Sequence, residues 1–332
     1  MSRRRHTQIE VNGESMTERP VSKVLVLERD PVHLAGIRHF CDAHNLVGLK
    51  VRKNRLMSVL RSNIDLGAIL YAEDYGVSAE ESREIALQIH TVRPELPIIL
   101  RRASAPTLDG VDESLRRVCC AAYTANDMSG LSRVIDEFIF CLAYPNALVR
   151  GISEITESVL ASQFKHLTPR WHTPYIVRDR IIFGEVFSLI PLESNWCRGY
   201  MMLQTEEQPI LDQLDTYAPG DGGATFRAVN SLLGEITNLI WGSFKNRYVG
   251  EAASLGTQIQ VPLIVNHKHK YISFGTENPQ LCFLYTLNDE STGHTFKLYQ
   301  RFVFNLNWAP EDFREIVQDT NELVASGELE LF

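Results

Sequence analysis

The chain has 332 residues, of which 44% are hydrophobic and 22% charged, and its formal net charge is −8. At about 150 residues per domain this length predicts two domains, and the apolar content excludes a wholly disordered chain. No run of about 18 uncharged apolar residues occurs. Acidic residues outnumber basic ones, whereas nucleic-acid binders typically carry a basic face. We therefore expect neither a membrane-spanning helix nor a nucleic-acid partner.

The two ends of the chain differ in charge from its middle. Residues 1–21 begin with basic residues but contain no apolar stretch of the kind that a secretion signal needs, so we expect a flexible leader there. Residues 311–332 contain seven acidic residues and one basic residue, and we expect residues 306–332 to form an acidic helix and tail. The six cysteines form no CxxC pair, which is typical of reduced thiols in a cytoplasmic protein.

Apolar runs and amphipathic stretches alternate regularly over residues 22–143. The apolar runs predict five strands, at 23–27, 47–51, 66–70, 97–100 and 118–123. The helical spacing of apolar residues predicts helices near 34–41, 56–61, 79–93 and 128–142. Five apolar strands that alternate with helices predict an α/β doubly wound parallel sheet, covered by helices on both faces.

This pattern resembles the receiver domain of two-component response regulators. The resemblance implies a phosphorylation pocket at the carboxyl ends of the strands, built from an acid pair for Mg²⁺, an aspartate, a Ser or Thr and a Lys. Other residues stand at those positions here. They are Glu28 and Arg29 for the acid pair, Leu70 or Tyr71 for the aspartate, Arg102 for the Ser or Thr, and Asn126 for the Lys.

Residues 22–143 are therefore interpreted as a degenerate receiver-like domain that is not phosphorylated in the usual way. Asp74 lies three residues beyond Tyr71, which places it too far along the predicted loop to replace the missing aspartate. Arg29, Arg101 and Arg102 are expected to fill the space that Mg²⁺ and Lys share in the family. The domain then serves either as a docking or dimerisation module or as a spacer for its neighbour.

The hydrophobic pattern changes after residues 144–146, and residues 147–305 carry a second fold. The apolar spacing predicts helices at 147–164, 208–214 and 224–246. Alternating residues predict strands at 175–177, 181–190, 199–204, 257–261, 271–274, 281–287 and 296–304. This half is predicted to be an α+β domain with helices packed on an antiparallel sheet.

The predicted helix at 224–246 carries an unusual set of polar and small residues. Glu235 and Asn238 are three residues apart and project from one face, and Ser231 lies one turn before Glu235. The opposite, buried side is predicted to consist of five apolar residues: Leu232, Leu233, Ile236, Leu239 and Ile240. Two interior glycines, Gly234 and Gly242, each cost about 1 kcal/mol relative to alanine, and small residues there would let another protein approach the helix closely.

This segment resembles the signature helix of the CheC/CheX/FliY family of chemotaxis phosphatases. The family pattern is Asp or Ser, three residues, Glu, two residues, Asn, and a proline further downstream. Here it reads Ser231, Glu235, Asn238 and Pro262, with 23 residues before the proline. The presence of one such helix favours the CheX-like branch, and the resemblance covers roughly residues 147–305.

The resemblance implies that the chain dephosphorylates the phosphoaspartate of a CheY-like response regulator. Asn238 would position the attacking water, and Glu235 would pair with the receiver's active-site Lys. Mg²⁺ would be bound by the receiver, so this chain would need no cofactor or metal of its own. Four further residues are expected to border the docking surface: Ser231, Gly234, Trp241 and Gly242. The alternative is a non-catalytic adaptor that binds response regulators through the same fold, and in either case we expect a homodimer.

Overall fold

The computed structural model describes residues 20–61, 65–142, 144–178, 182, 184–217, 224–249, 264–266, 270–274, 276–305 and 313. The strands of the first half are β1 (Val21–Leu27), β2 (Leu46–Lys50), β3 (Ala68–Ala72), β4 (Ile98–Arg102) and β5 (Cys119–Thr124). The helices are α1 (Pro31–Ala43), α2 (Leu56–Leu60), α3 (Ala79–Val92), α4 (Glu113–Val118) and α5 (Met128–Phe138). A 3₁₀ turn at Lys53–Arg55 precedes α2.

These five strands form a parallel sheet in the order β2-β1-β3-β4-β5. Successive residues of a strand face opposite sides of the sheet. In β1, Val24 and Val26 belong to the apolar cluster that includes residues of α1 and α5, whereas Leu25 and Leu27 belong to the cluster with α2, α3 and α4. The doubly wound parallel sheet predicted for this half is confirmed.

Side chains at the loop ends determine where several of these helices begin. Asp30 accepts backbone hydrogen bonds at the start of α1, and Pro31 supplies a first residue with a suitable fixed φ. Ser78, Asp112 and Asp127 accept in the same way at the starts of α3, α4 and α5. These caps satisfy N–H groups that have no partner inside the helix.

The second half begins with α6 (Asn146–Gln163), followed by the strands β6 (Thr168–Trp171), β7 (Tyr175–Val177), β8 (Val186–Glu193) and β9 (Arg198–Thr205). Then come α7 (Glu207–Tyr217) and α8 (Phe226–Tyr248). The last described strands are β10 (Ile264–Asn266), β11 (Tyr271–Ser273), β12 (Gln280–Asn288) and β13 (Thr295–Asn305).

The main strands of this half pair antiparallel in the order β7-β12-β13-β9-β8, and β6 also pairs with β12. Helices α6 and α8 pack together and share one apolar cluster with the strands. Gly151 permits the close approach of α6 to α8, because a Cβ atom there would lie 1.6 Å from the Tyr248 hydroxyl oxygen. The predicted arrangement of helices on an antiparallel sheet is confirmed.

The two halves are joined through one sheet. Strand β1 pairs in parallel with β7, so eleven of the described strands form a single sheet across both halves. A buried ion pair also connects the two halves. Arg301 of β13 is fully buried and donates to the Asp65 carboxylate at 3.0 Å. The Tyr175 hydroxyl donates to the other oxygen of this carboxylate at 2.7 Å. The sheet and the core therefore continue across the predicted boundary, and the two separately folding domains remain a prediction.

Several element boundaries differ from the sequence expectation. Val21, assigned to the leader, is the first residue of β1 because it pairs with Tyr175. Strand β3 ends at Ala72 instead of residue 70, and α4 was not indicated by the sequence pattern. Residues 1–19 of the leader, the strand expected at 257–261, Pro262 and all of the acidic segment except Phe313 lie outside the described residues. Within the described ranges, no helix has the length and apolar content that a membrane crossing requires.

Candidate functional site

Helix α8 is held in place by a regular apolar stripe. Its buried residues include Val229, Leu233, Ile236, Ile240 and Phe244, whose spacing of three or four residues places them on one side of the helix. The buried Thr237 hydroxyl donates to the Leu233 carbonyl oxygen at 2.7 Å and lies 2.8 Å from the Ser188 hydroxyl oxygen of β8. The sheet therefore determines which face of α8 remains open to solvent.

The open face presents the three motif residues. Ser231, Glu235 and Asn238 are all exposed, and their spacing places neighbouring side chains about 5–6 Å apart at Cβ. Within the part of the chain that the structure describes, none of these three side chains has a hydrogen-bond or ion-pair partner. A carboxylate and a carboxamide are thus available together to a molecule that binds this face.

The two glycines of α8 lie in open space. A Cβ atom added at Gly234 or Gly242 would meet nothing within 4 Å, so the packing of the described residues does not require a glycine at either position. Trp241 is half-buried, and its ring stacks on Phe244 with centroids 5.8 Å apart. The contact with Phe244 gives Trp241 a packing role, and its place at the rim of a docking surface remains a prediction.

Leu239 does not belong to the buried side of α8, and that expectation is wrong. Its side chain is 39% exposed, next to Asn238, because α8 turns about 100° per residue and carries position 239 past the edge of the sheet contact. Leu232 is only half-buried for the same reason. The open face thus combines polar groups with an apolar side chain.

Helix α6 repeats part of the α8 sequence. Glu154-Ile155-Thr156 matches the Glu-Ile-Thr run that begins at Glu235, but Glu157 stands where α8 has Asn238. The Glu154 carboxylate is paired with Arg247 at 2.9 Å and with Arg150 at 3.5 Å. The α6 copy therefore lacks both the amide and the unpaired carboxylate.

In the receiver-like half, the guanidinium group of an arginine lies at the carboxyl ends of the strands. Arg101, at the end of β4, is buried and donates to the Glu28 carboxylate at 2.5 Å, and it also pairs with Asp74. The other Glu28 oxygen accepts from the backbone N–H groups of Arg29 at 2.7 Å and Asp30 at 3.0 Å. Arg101 thus lies between two carboxylates at the ends of the strands.

The remaining predicted pocket residues have separate roles. The Arg102 guanidinium lies 3.4 Å from Glu73 and donates to the carbonyl oxygens of Thr107 and Asp109. Arg29 instead donates to the Gly76 carbonyl oxygen, and Asn126 is exposed on the loop after β5. Of the three arginines expected to fill the pocket, only Arg101 contacts both Glu28 and Asp74 among the described residues, and the exposed Arg29 does not enter it. That Arg101 and Arg102 take the place of Mg²⁺ and Lys remains a prediction.

Tyr71 is not in this pocket, and the strand end explains the error. It lies inside β3, fully buried on the opposite sheet face, and its hydroxyl donates to the Ser82 carbonyl oxygen at 2.6 Å. Burial raises the pKa of the Tyr71 hydroxyl well above its usual range. Because β3 ends at Ala72, the acids that follow it are Glu73 and Asp74, and Asp74 reaches the pocket that it was expected to miss.

The described residues also bear on metal binding and on thiol chemistry. No group of three or more His, Cys, Asp or Glu side chains in these ranges has the arrangement of a metal site. The Cys41 and Cys119 thiols are buried, which raises their pKa values to about 11 and about 12 and keeps them protonated at neutral pH. Glu235 and Asn238 remain the predicted catalytic residues.

No family model and no curated protein matches the chain. Among solved structures, a chemotactic CheC-like protein from Shewanella oneidensis is 18% identical, covers 47% of this chain and 96% of its own, and gives a TM-score of 0.34. The chemotaxis protein CheX from Vibrio vulnificus is also 18% identical, with 47% and 98% coverage and a TM-score of 0.29. The receiver domain of a sensor histidine kinase from Pseudomonas aeruginosa is 20% identical, with 36% and 97% coverage and a TM-score of 0.29. Similarity at this level says nothing about activity.

Proposed function

We propose that the chain hydrolyses the phosphoaspartate of a CheY-like response regulator that binds to the open face of α8. One observation carries this proposal: Glu235 and Asn238 lie exposed on one helix face without partners among the described residues. An acid and an amide that the fold does not use are available to act on a bound protein. The rest of α8 is fixed by packing, so these side chains are held on a rigid element.

The reaction requires a water molecule positioned in line with the aspartyl oxygen. The Asn238 carboxamide accepts a hydrogen bond from this water and orients it, and the water oxygen attacks phosphorus as the P–O bond to the aspartyl group breaks. The products are a free aspartate carboxylate and inorganic phosphate, which takes the proton that the water loses. Because phosphoryl transfer depends mainly on positioning and charge stabilisation, an amide suffices where no strong base is present.

The receiver supplies the remaining groups. Mg²⁺ bound by the receiver neutralises the charge on the phosphoryl oxygens, and Glu235 pairs with the receiver's active-site Lys, which fixes the orientation of the two proteins. In this proposal the chain contributes no metal or cofactor of its own. The dimer expected from the sequence places two such faces in one particle, and sedimentation equilibrium measures that state directly.

The assay follows phosphate release from CheY-like receivers that have been phosphorylated with acetyl phosphate and freed from it. We expect the full chain to accelerate release from at least one receiver of its host. Asn230→Ala is the matched control for Asn238→Ala, because Asn230 is also exposed on α8 but lies about 80° around the helix from Asn238. If no phosphorylated receiver loses phosphate faster with the wild-type chain than without it, the proposed activity is wrong.

The adaptor alternative is favoured by one feature of the same face. The exposed Leu239 side chain beside Asn238 contributes apolar contact area, which binds a partner but takes no part in hydrolysis. Glu235→Ala discriminates between the two functions when binding and hydrolysis are measured together. Loss of receiver binding in Glu235→Ala, with no hydrolysis by the wild-type chain, would establish the adaptor and exclude the phosphatase.

The receiver-like half is proposed to remain unphosphorylated. Arg101 already lies between Glu28 and Asp74, and a second cation such as Mg²⁺ would be repelled from the same place. Incubation of the full chain with acetyl phosphate and Mg²⁺ should therefore leave its intact mass unchanged. Addition of one phosphoryl group to residues 22–143 would overturn this interpretation.

A further inference from the structure

The contact between α8 and β8 contains a pair of hydroxyl groups in otherwise apolar surroundings. From its start to Phe244, the described helix α8 buries apolar side chains and one polar residue, Thr237, which is 3% exposed. On β8, alternate residues face α8, and Ser188 stands there between the apolar Val186 and Ile190. The Thr237 and Ser188 hydroxyl oxygens lie 2.8 Å apart, so the polar position of the helix meets the polar position of the strand.

The hydrogen bonds of this pair follow from the number of protons. The Thr237 hydroxyl has one proton, which it donates to the Leu233 carbonyl oxygen at 2.7 Å. The Ser188 hydroxyl therefore donates to the Thr237 oxygen. A threonine that bonds the carbonyl four residues earlier slightly destabilises a helix. The presence of Thr237 in the apolar stripe thus requires a reason other than the stability of α8.

The apolar stripe alone does not determine where α8 lies along the sheet. Its spacing of three or four residues repeats with each turn, so a shift by one turn, about 5.4 Å, would bring Ile240 to the place of Ile236. Apolar residues would remain buried after such a shift, but Thr237 and Ser188 would separate. In coiled coils, a buried polar residue specifies the register of the helices at a cost in stability. The hydroxyl pair has the same effect here, because it favours one register of α8 on β8.

Helix α6 carries a corresponding threonine. Thr156 ends the Glu-Ile-Thr run of α6, as Thr237 ends the run of α8, and it is fully buried. The Gln300 side chain of β13 donates to the Thr156 hydroxyl at 3.0 Å. Both copies of the run therefore place a threonine hydroxyl against a polar side chain of the sheet, although their glutamates differ in exposure and pairing. The recurrence indicates that this threonine contributes to the placement of each helix.

We propose that Thr237 is a positioning residue for Asn238, an inference that rests on the proposed function. The hydrogen bond from Thr237 to Leu233 spans the turn that contains Glu235 and ends beside Asn238, and such bonds often bend helices. The bond from Ser188 ties the same turn to the sheet. Together they determine how the amide of Asn238 is presented beside the carboxylate of Glu235.

The position of this turn on the sheet matters because a partner contacts more than one helix. A stable interface covers about 800 Å² on each protein, which exceeds the exposed stripe of α8, so a bound receiver also contacts neighbouring elements. Those contacts place the phosphoaspartate, whereas Asn238 places the water. A misplacement of about 1 Å between reacting groups costs on the order of 100-fold in rate. The hydroxyl pair therefore acts on kcat through Asn238, without contact with the receiver.

Substitutions of Thr237 separate positioning from stability. Thr237→Val removes the hydroxyl but keeps the shape, so kcat for the phosphorylated receiver should fall by about tenfold or more, with KM within about threefold of the wild type. Thr237→Ser keeps the hydroxyl and should keep kcat within about twofold. Because Thr237→Ser loses a buried methyl group, its Tm should lie below that of Thr237→Val. The order of the two variants in activity is then the reverse of their order in stability.

Thr156→Val is the matched control. It removes an equally buried threonine hydroxyl from α6, which carries none of the motif residues. The Gln300 amide loses a partner, so the Tm should fall, but kcat should remain within about twofold of the wild type.

A second measurement does not depend on hydrolysis. The side-chain amide signal of Asn238 in the proton–nitrogen correlation spectrum of the full chain is assigned by its absence in Asn238→Ala. This signal should move in Ser188→Ala, because Ser188 lies on another element and reaches Asn238 only through Thr237. It should stay in place in Thr156→Val.

Three results would overturn the inference. They are a wild-type kcat in Thr237→Val, a loss of kcat in Thr237→Ser as large as that in Thr237→Val, and an Asn238 signal that does not move in Ser188→Ala. A loss of kcat that follows the Tm in every variant, Thr156→Val included, would also overturn it. If the wild-type chain hydrolyses no receiver but the Asn238 signal moves in Ser188→Ala alone, the proposed function fails while the placement of Asn238 by Thr237 stands.

Discussion

The pocket of the receiver-like half and the open face of α8 both contain carboxylates. Those in the pocket form ion pairs, whereas the one on α8 has no partner among the described residues. In the pocket, the carboxylates of Glu28 and Asp74 are both paired with Arg101 of β4. On α8, the Glu235 carboxylate has no partner in the described structure, and neither has the Asn238 amide. Residue type alone therefore does not identify a site, because a site also requires that the fold leave its groups unpaired.

Helix α6 makes the same point within the second half. It carries the Glu-Ile-Thr run of α8, but its Glu154 is paired with Arg247, which α8 itself supplies. One copy of the run thus holds two helices together, and the other faces solvent. The difference arises from the crossing of α6 over the end of α8, where Gly151 admits Tyr248.

The largest loss of stability is expected when the buried Arg301–Asp65 ion pair, which joins the two halves, is broken. Arg301→Met leaves the buried Asp65 without its cation, so the free energy of unfolding should fall by about 3–5 kcal/mol. Arg198→Met, which removes a half-exposed pair with Glu193, should cost no more than about 1 kcal/mol. Urea unfolding of both variants measures the difference, and equal losses would mean that the buried pair does not hold the joint.

Breaking the Arg101–Glu28 ion pair in the pocket should lower the free energy of unfolding somewhat less. Arg101→Met leaves Glu28 buried, but two backbone N–H groups still donate to it, so we expect a loss near the lower end of that range, about 3 kcal/mol. With the internal cation removed, Glu28 and Asp74 attract Mg²⁺, and 10 mM Mg²⁺, a concentration on the order of those used for weak sites, should raise the Tm of the variant but not of the wild type. A Tm of Arg101→Met that does not respond to Mg²⁺ would show that Arg101 does not act as the pocket's cation.

A substitution on the open face of α8 should lower the rate of receiver dephosphorylation and leave the stability of the fold unchanged. Asn238→Ala removes the group that orients water, so the rate of receiver dephosphorylation should fall by about 100-fold or more while the Tm changes by less than about 2 °C. Asn230→Ala should keep the wild-type rate. A comparable rate loss in both variants would indicate damage to α8 and not the loss of a specific group.

The smallest effect concerns Asp289, on the loop between β12 and β13, and depends on pH. Hydrogen bonds from Ser291 and Tyr217 hold the pKa of Asp289 well below its usual value of 3.8. This carboxylate therefore stabilises the fold fully above that value, and the contribution is lost as the pH falls toward the lower folded-state pKa. The stability difference between the wild type and Asp289→Asn should shrink from pH 6 to pH 3, and a constant difference in urea unfolding would contradict the assignment.

Much of the fold follows from local periodicity. The period of two in β1 and the spacing of three or four in α8 are visible in the sequence, because each element must bury one side. The same periodicity did not locate the end of β3, since Tyr71 and Ala72 continue an apolar run whose last residue depends on pairing with β4. That shift of two residues moved Asp74 into the pocket and Tyr71 out of it.

The sequence by itself determined the alternation of elements in the first half, the helices and antiparallel strands of the second, and the spacing that places Ser231, Glu235 and Asn238 on one face. Only the tertiary structure decided that Arg101 pairs with Glu28, that Arg301 pairs with Asp65, and that β1 pairs with β7. The physical reason is range. Helical and strand periods are set by neighbours a few residues apart, whereas ion pairs, sheet joints and cavities depend on which distant segments pack together.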